Sequence, residues 1–334
     1  MNIYDISEKA GVSIATVSRV LNGNSKVSDK TRKKILAVME ETGYQPNVFA
    51  RGLGLNTMNT VGVMCADSSD MVLASAVYHV EQELHKYQYD VLLCCTGYET
   101  EEKEKYMNLL LSKRVDALIL VGSSFIEKNM EKNQYIIEAA KEVPVMLVNA
   151  YLDAPNVYCA VCDDREMMCQ ATEQFLAQER KILYLYRSLS YSGRQKIQGI
   201  RDAFRKYGRK PEKEQMVLMK DSTIEDTRKF LAERWNQGER WDVVMSSDDE
   251  LAVGACKFAK AQGLKVPQDM QILGYNNSKI SICSEPEIST VDNHMQKAGT
   301  LAVDQLMEIL KKEEVDQKTI VKGEMVLRDT TIDL

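Results

Sequence analysis

The chain has 334 residues, is 44% hydrophobic, and carries 43 basic against 49 acidic side chains for a formal net charge of −6. That length suits two or three domains with sizeable cores, while no apolar run approaches the ~20 residues needed to span a bilayer and no apolar run behind a basic start marks a secretory leader. A soluble, cytoplasmic protein is expected, with no membrane partner. Its eight scattered cysteines imply reduced thiols, not a disulfide framework.

The charge is uneven. Residues 1–59 hold eight Lys and Arg against five Asp and Glu, a net +3, which leaves −9 for the remainder. A basic head on an acidic body implies that the head alone meets a polyanion.

The head reads as three helices. "IYDISEKA" puts Ile3, Ile6 and Ala10 on one face before Gly11 breaks it. "SIATVSRVLN" then hides Val17, Val20 and Leu21 and shows Ala15, Ser18, Arg19 and Asn22 at helical spacing. The exposed set is small, hydrogen-bonding and bears one arginine, which suits a helix entering a DNA groove. Ser28 is a good N-cap for a third helix with Ile35, Val38 and Met39 inward, ended by Gly43. Arg32, Lys33 and Lys34 are open to phosphate contact or to a plain solvated face. In "YQPNVFARGLGLNTMNT", Pro46 permits about two helical turns, but Gly52, Gly54 and a polar tail make them poor in isolation. The segment reads as a linker with conditional structure.

From Val61 onward short apolar runs alternate with amphipathic helices. Ten runs read as strands: "TVGVMCA", "YDVLLCCT", "VDALILVG", "PVMLVNA", "YCAVCD", "KILYLYR", "MVLMK", "WDVVMSS", "MQILGYN" and "ISTVD". This alternation predicts α/β architecture with two doubly wound parallel sheets of about five strands, and a ligand cleft at the carboxyl ends of the strands. The pair Cys159 and Cys162 in "CAVC" points to opposite faces of an extended strand, which spoils a shared metal or redox site. No phosphate-loop, dinucleotide, zinc-protease or serine-hydrolase motif is present. Asp248 and Asp249 follow a strand, where they suit either catalysis or the capping of the next helix. Without a partnered base, an enzyme is not expected, and neither cofactor nor metal is.

"IYDISEKAGVSIATVSRVLNG", "VSDKTRKKIL", "GYQPNVFARGL" and "NTVGVM" resemble the DNA-binding head and hinge of LacI/GalR repressors. The body keeps the family's order in "RVDALIL", "SSDDELAVGA", "LKVPQDMQILGYNN", "ISTVDN" and "MVLRDTT", so the likeness spans essentially the whole chain. It implies a helix-turn-helix head at 1–44, a hinge at 45–59, and two sensor subdomains of periplasmic-binding-protein type at 60–162 with 292–322 and 163–291 with 323–334. It further implies a homodimer on a near-palindromic operator in double-stranded DNA. Ile14, Ala15 and Arg19 would read bases, with Ser13, Thr16, Ser18 and Asn22 beside them; Ile14 is also open to partial burial. Asn47, Ala50, Arg51 and Leu53 would form the hinge element, Leu53 wedging between base pairs.

The same likeness marks a cleft for a small-molecule effector: Asp67, Asp70, Val72, Tyr98, Asn149, Tyr151, Arg194, Lys196, Ser222, Asp248, Asn276 and Asn293. Its pattern departs from sugar-binding members. Val72 and Ser222 stand where stacking rings are usual, Lys196 stands for an arginine, and Asn149 and Asn276 stand for aspartates. Asn accepts through one carbonyl where a carboxylate offers two oxygens to neighbouring hydroxyls. Tyr98, Tyr151 and Tyr191 are open to ligand contact or to interface packing, and Arg194 with Lys196 would suit an anion. A degenerate cleft governed by a protein co-regulator is the alternative reading; a solute-binding protein fits less well because of the head.

Overall fold

The computed structural model describes residues 2–21, 26–44, 57–220 and 222–332. Three helices open the chain, α1 (Ile3–Ala10), α2 (Ile14–Leu21) and α3 (Asp29–Thr42). The Asn2 side chain accepts from the amides of Tyr4 and Asp5, and Asp5 accepts from the Asn2 amide in return, so α1 starts in a closed capping box. Gly11 ends it at φ 59°, a left-handed conformation that a β-carbon resists. Ile6, Ala10, Val17, Val20 and Ile35 form the buried centre, with Ile3, Val12, Leu21, Val38 and Met39 packed around it. The inward sets expected from helical spacing meet in one small core.

The body holds two six-stranded sheets. The first comprises β1 (Thr60–Cys65), β2 (Asp90–Cys95), β3 (Ala117–Val121), β4 (Val145–Val148), β5 (Val157–Cys162) and β11 (Lys318–Val321), in the order β11-β5-β4-β3-β1-β2 and parallel throughout. The second comprises β6 (Ile182–Tyr186), β7 (Met216–Leu218), β8 (Val243–Ser246), β9 (Gln271–Tyr275), β10 (Ser289–Asp292) and β12 (Glu324–Val326), in the order β12-β10-β9-β8-β6-β7. Only β12 runs antiparallel there, against β10. All ten expected strands are present. The two additional ones, β11 and β12, have four and three residues and pair at sheet edges, with too few inward positions to leave an apolar period in the sequence.

Helices cover both faces of each sheet, as burial of parallel strands requires. On the first sheet, α4 (Met71–Lys86) and α12 (Met295–Leu310) cover one face, and α5 (Thr100–Ser112) and α6 (Gln134–Ala139) the other. On the second, α7 (Asp164–Ala177) and α8 (Tyr191–Lys206) lie opposite α9 (Ile224–Asn236) and α10 (Asp249–Ala261), with the short α11 (Lys279–Cys283) beyond α10. Close packing of α7 on α8 depends on Gly199, where a β-carbon would stand 2.1 Å from the Arg165 carbonyl oxygen. Cys159 belongs to the α5/α6 side of its sheet and Cys162 to the α4/α12 side, so the CAVC thiols do face apart. All eight cysteines are free, six of them buried or half-buried and Cys95 and Cys283 exposed.

The chain passes between the sheets three times: after β5, after β10 and between β11 and β12. The second passage begins after Asp292, which is still the last residue of β10. Among the described residues, no helix is long and apolar enough to cross a membrane.

Candidate functional sites

The head carries Arg19 on a helix packed against a small core. Val17 and Val20 are buried, while Ile14, Ala15 and Arg19 are exposed on the other side of α2. Ile14 is 39% exposed, so part of its side chain faces solvent while the rest is covered. Ser13 starts the helix: its hydroxyl accepts from the Thr16 amide at 3.2 Å and meets the Thr16 hydroxyl at 2.9 Å. Those two hydroxyls are thus tied to each other, and Ser18 is half-buried. Asn22 and the hinge residues Asn47, Ala50, Arg51 and Leu53 lie outside the described residues.

The body gathers its expected residues at the strand ends and crossovers. Asn149 follows β4 at φ 59° and its side-chain oxygen accepts from the Cys162 amide at 3.4 Å, joining β4 to the first crossover. Asn276 follows β9 at φ 93° and accepts from Asn293 Nδ2 at 3.3 Å, joining β9 to the second. Asparagine tolerates these left-handed conformations better than other side chains. Asn293 is 2% exposed and its oxygen has no protein partner.

Lys196, on α8, is buried. Its ammonium stands 3.6 Å from the centre of the Tyr275 ring and donates to the Ser247 carbonyl at 3.0 Å. Burial pushes its pKa down, and the carboxylates of Asp164 and Asp248 push back. Asp164, 1% exposed, accepts from the Tyr275 hydroxyl at 2.7 Å, and its other oxygen is unpartnered. Sequence reading missed Asp164, because "CDDRE" reads as a strand end without showing which carboxylate turns inward.

Asp248 caps α10 through the Leu251 amide at 3.0 Å and accepts from Arg187 Nε at 2.9 Å. Arg187, also missed, spans Asp248, Glu250 and the Ser222 carbonyl. Asp249 is buried and accepts from the Thr290 hydroxyl at 2.6 Å and from the amide and hydroxyl of Ser278 at 2.7 Å each; burial raises its pKa to about 6. Both acids therefore serve local structure, and the capping alternative describes Asp248.

The remaining candidates are each held by their own neighbours or stand at the surface. Asp67 folds its own turn through the amide and hydroxyl of Ser69, which hold its carboxyl below the usual range. Asp70 caps α4 through the amides of Val72 and Leu73. Val72 packs on the core beneath α4, and Tyr98 is 57% exposed. Tyr151 lies under the Lys318 ammonium, 4.5 Å from its ring centre. Arg194 donates to the carbonyls of Leu189 at 2.6 Å and Ile126 at 3.5 Å. The two cations expected to grip an anion are thus both engaged by protein carbonyls.

A separate groove of about 630 Å³ is lined by Asp163, Arg165, Asp202, Arg205 and Lys206. Arg165 and Arg205 both pair with Asp202 and Lys206 pairs with Glu173, so the cations of that groove are engaged by neighbouring carboxylates.

Residues 2–47 match the family described as "Bacterial regulatory proteins, lacI family", and residues 58–328 match "Periplasmic binding proteins and sugar binding domain of LacI family". The chain is 52% identical over 332 residues to an HTH-type transcriptional regulator of Lachnoclostridium phytofermentans, covering 99% of each chain. It is 29% identical to catabolite control protein A of Priestia megaterium, covering 96% of each. Its fold superposes on that of the lac repressor dimer bound to operator and the anti-inducer ONPF with a TM-score of 0.87, at 23% identity over 100% of this chain and 99% of that one.

Proposed function

The chain belongs to the LacI family of bacterial regulatory proteins and is a DNA-binding transcriptional regulator; from that premise we propose that it represses transcription as a cytoplasmic homodimer on a near-palindromic operator, under control of a small molecule in the cleft between its two sheets. The observation that carries the reading is the division of α2 into a buried face, Val17 and Val20, and an exposed face, Ile14, Ala15 and Arg19, on a head with its own core. In the proposed complex the Arg19 guanidinium bridges O6 and N7 of a guanine, and Ile14 and Ala15 make apolar contacts such as those to a thymine methyl. Ser13, Thr16, Ser18 and Asn22 flank them.

The proposed division is a head at 1–44, a hinge at 45–59, and subdomains at 60–162 with 292–322 and 163–291 with 323–334. Dimer formation draws support from apolar side chains uncovered on the first subdomain, Met71 and Tyr78 on α4 and Leu92 and Leu93 on edge strand β2. In this reading Asn47, Ala50, Arg51 and Leu53 order on DNA, and effector binding in the cleft changes the spacing of the paired hinges. Leu53→Ala is expected to weaken operator binding with the dimer intact; a monomeric variant would make Leu53 a packing residue instead.

The proposed effector site comprises Asn149, Lys196, Asp248, Asn276 and Asn293 on the floor, with Asp67, Asp70, Val72, Tyr98, Tyr151, Arg194 and Ser222 around it. Internal engagement of Lys196 and Arg194 favours a neutral, hydroxyl-rich effector over an anion. Selection of duplex DNA from a random pool tests the reading. Two half-sites in inverted repeat are expected to enrich, and enrichment of a lone half-site or of no sequence would overturn it.

A further inference from the structure

α8 belongs to the second subdomain, yet its first turn is seated on the first. Ser123, in the short turn that follows β3, donates its hydroxyl to Ser190 Oγ at 3.0 Å. Ser190 is the N-cap of α8 and also accepts from the Gly193 amide at 3.3 Å. One turn on, Arg194 reaches the Ile126 carbonyl in the first subdomain while holding the Leu189 carbonyl in its own. Between them the Tyr191 ring packs against the first subdomain's apolar cluster, which includes Phe125, Ile126 and Cys159. Gly193 lets the chain turn this tightly, since a β-carbon there would stand 2.2 Å from the Ser188 carbonyl oxygen.

The receiving segment is itself braced. Lys103 on α5, 1% exposed, donates to the Ser124 carbonyl at 2.7 Å and stands 3.8 Å from Glu127. Burying a lysine is costly unless its donors are used, and this one is spent holding the 123–127 turn in place. None of these contacts lies on a crossover. The crossovers have their own tie, where His294 stands 3.2 Å from Asp292 and 3.8 Å from Glu324 and joins the second passage to the third.

We propose that the first turn of α8, through Ser190, Tyr191 and Arg194, is a noncovalent latch that docks on the 123–127 turn and holds the two subdomains together across the cleft. Opening the cleft breaks both hydrogen bonds and withdraws the Tyr191 ring, so latch release and effector binding act on one equilibrium. The link from that equilibrium to DNA rests on the cleft-control reading above; the latch itself does not.

The test is hydrogen exchange on the full-length protein, comparing wild type with a Ser123→Ala, Arg194→Met double variant. Both substitutions leave the Ser190 side chain and its bond from the Gly193 amide in place. Amides of 122–127 and 188–194 are expected to exchange roughly tenfold faster together, as loss of two modest hydrogen bonds implies, with β3 and β8 unchanged. No change, or acceleration confined to one of the two segments, would overturn the latch. Should the double variant not fold, Ser123→Ala alone provides the comparison, with a smaller paired acceleration expected and an unpaired or absent one overturning the proposal. Operator affinity measured on the same samples separates the two claims: paired acceleration with unchanged affinity keeps the latch and refutes its coupling to DNA.

Discussion

In α2 the exposed Ile14, Ala15 and Arg19 and the buried Val17 and Val20 share one eight-residue helix, and solvent surrounds the side that faces outward. At the strand ends and crossovers of the body, Asn149, Asp164, Lys196, Asp248, Tyr275 and Asn293 come from six separate segments; they bond to main chain, to one another and to Arg187 and Asn276, and one oxygen each of Asp164 and Asn293 has no protein partner. The first region carries its chemistry as a surface pattern and the second as a buried network. A surface pattern of the first kind tolerates substitution with little structural cost. A network of the second kind resists it, because removing one member strands the others in a medium that does not replace water.

Breaking the network tests that contrast most strongly. Lys196→Ala removes a buried ammonium and leaves Asp164 with an uncompensated carboxylate, and a loss of about 3–5 kcal/mol is expected in urea unfolding. A loss below about 1 kcal/mol would make Lys196 a solvated cleft group, available to a ligand. Next comes Asp249. Its pKa is raised from 3.8 to about 6, so between those values the folded chain binds more protons than the unfolded one. Its contribution is therefore full below pH 4 and is lost as pH rises through 6, a change of about 3 kcal/mol. Asp249→Asn is expected to remove that slope from unfolding midpoints measured between pH 4 and 7; an unchanged slope would assign it to other groups. The smallest effect belongs to the head, where Ser13→Ala should cost about 1 kcal/mol of head stability by removing the Thr16 cap contact. Unchanged thermal unfolding of the head with weaker DNA binding would give Ser13 a direct contact instead.

The same contrast explains what was legible in the sequence. Helical period, Ser28, Gly11 and Gly43 act within a few residues, so the three helices and their inward faces were readable directly. Ten strands announced themselves by apolar runs, whereas β11 and β12 are too short to do so. Family resemblance placed Lys196 and Asn293 among the expected effector-site residues, but nothing in "GRQKIQG" reveals that the ammonium faces the Tyr275 ring and the Ser247 carbonyl. Asp164 and Arg187 went unread for the same reason: each acquires its partners only when distant strands come into register. Arg194 looked like an anion grip because its side chain is cationic, and the fold spends that side chain on two carbonyls from different subdomains.

In the proposed complex the exposed face of α2 reads the DNA sequence. Titration of wild type and Arg19→Ala against the selected operator and a scrambled duplex, at one salt concentration, checks that role. A loss of about 1–3 kcal/mol is expected on the operator, with little change on the scrambled duplex. Equal losses on both would reduce Arg19 to a phosphate contact and contradict the assignment of α2 as the reading helix.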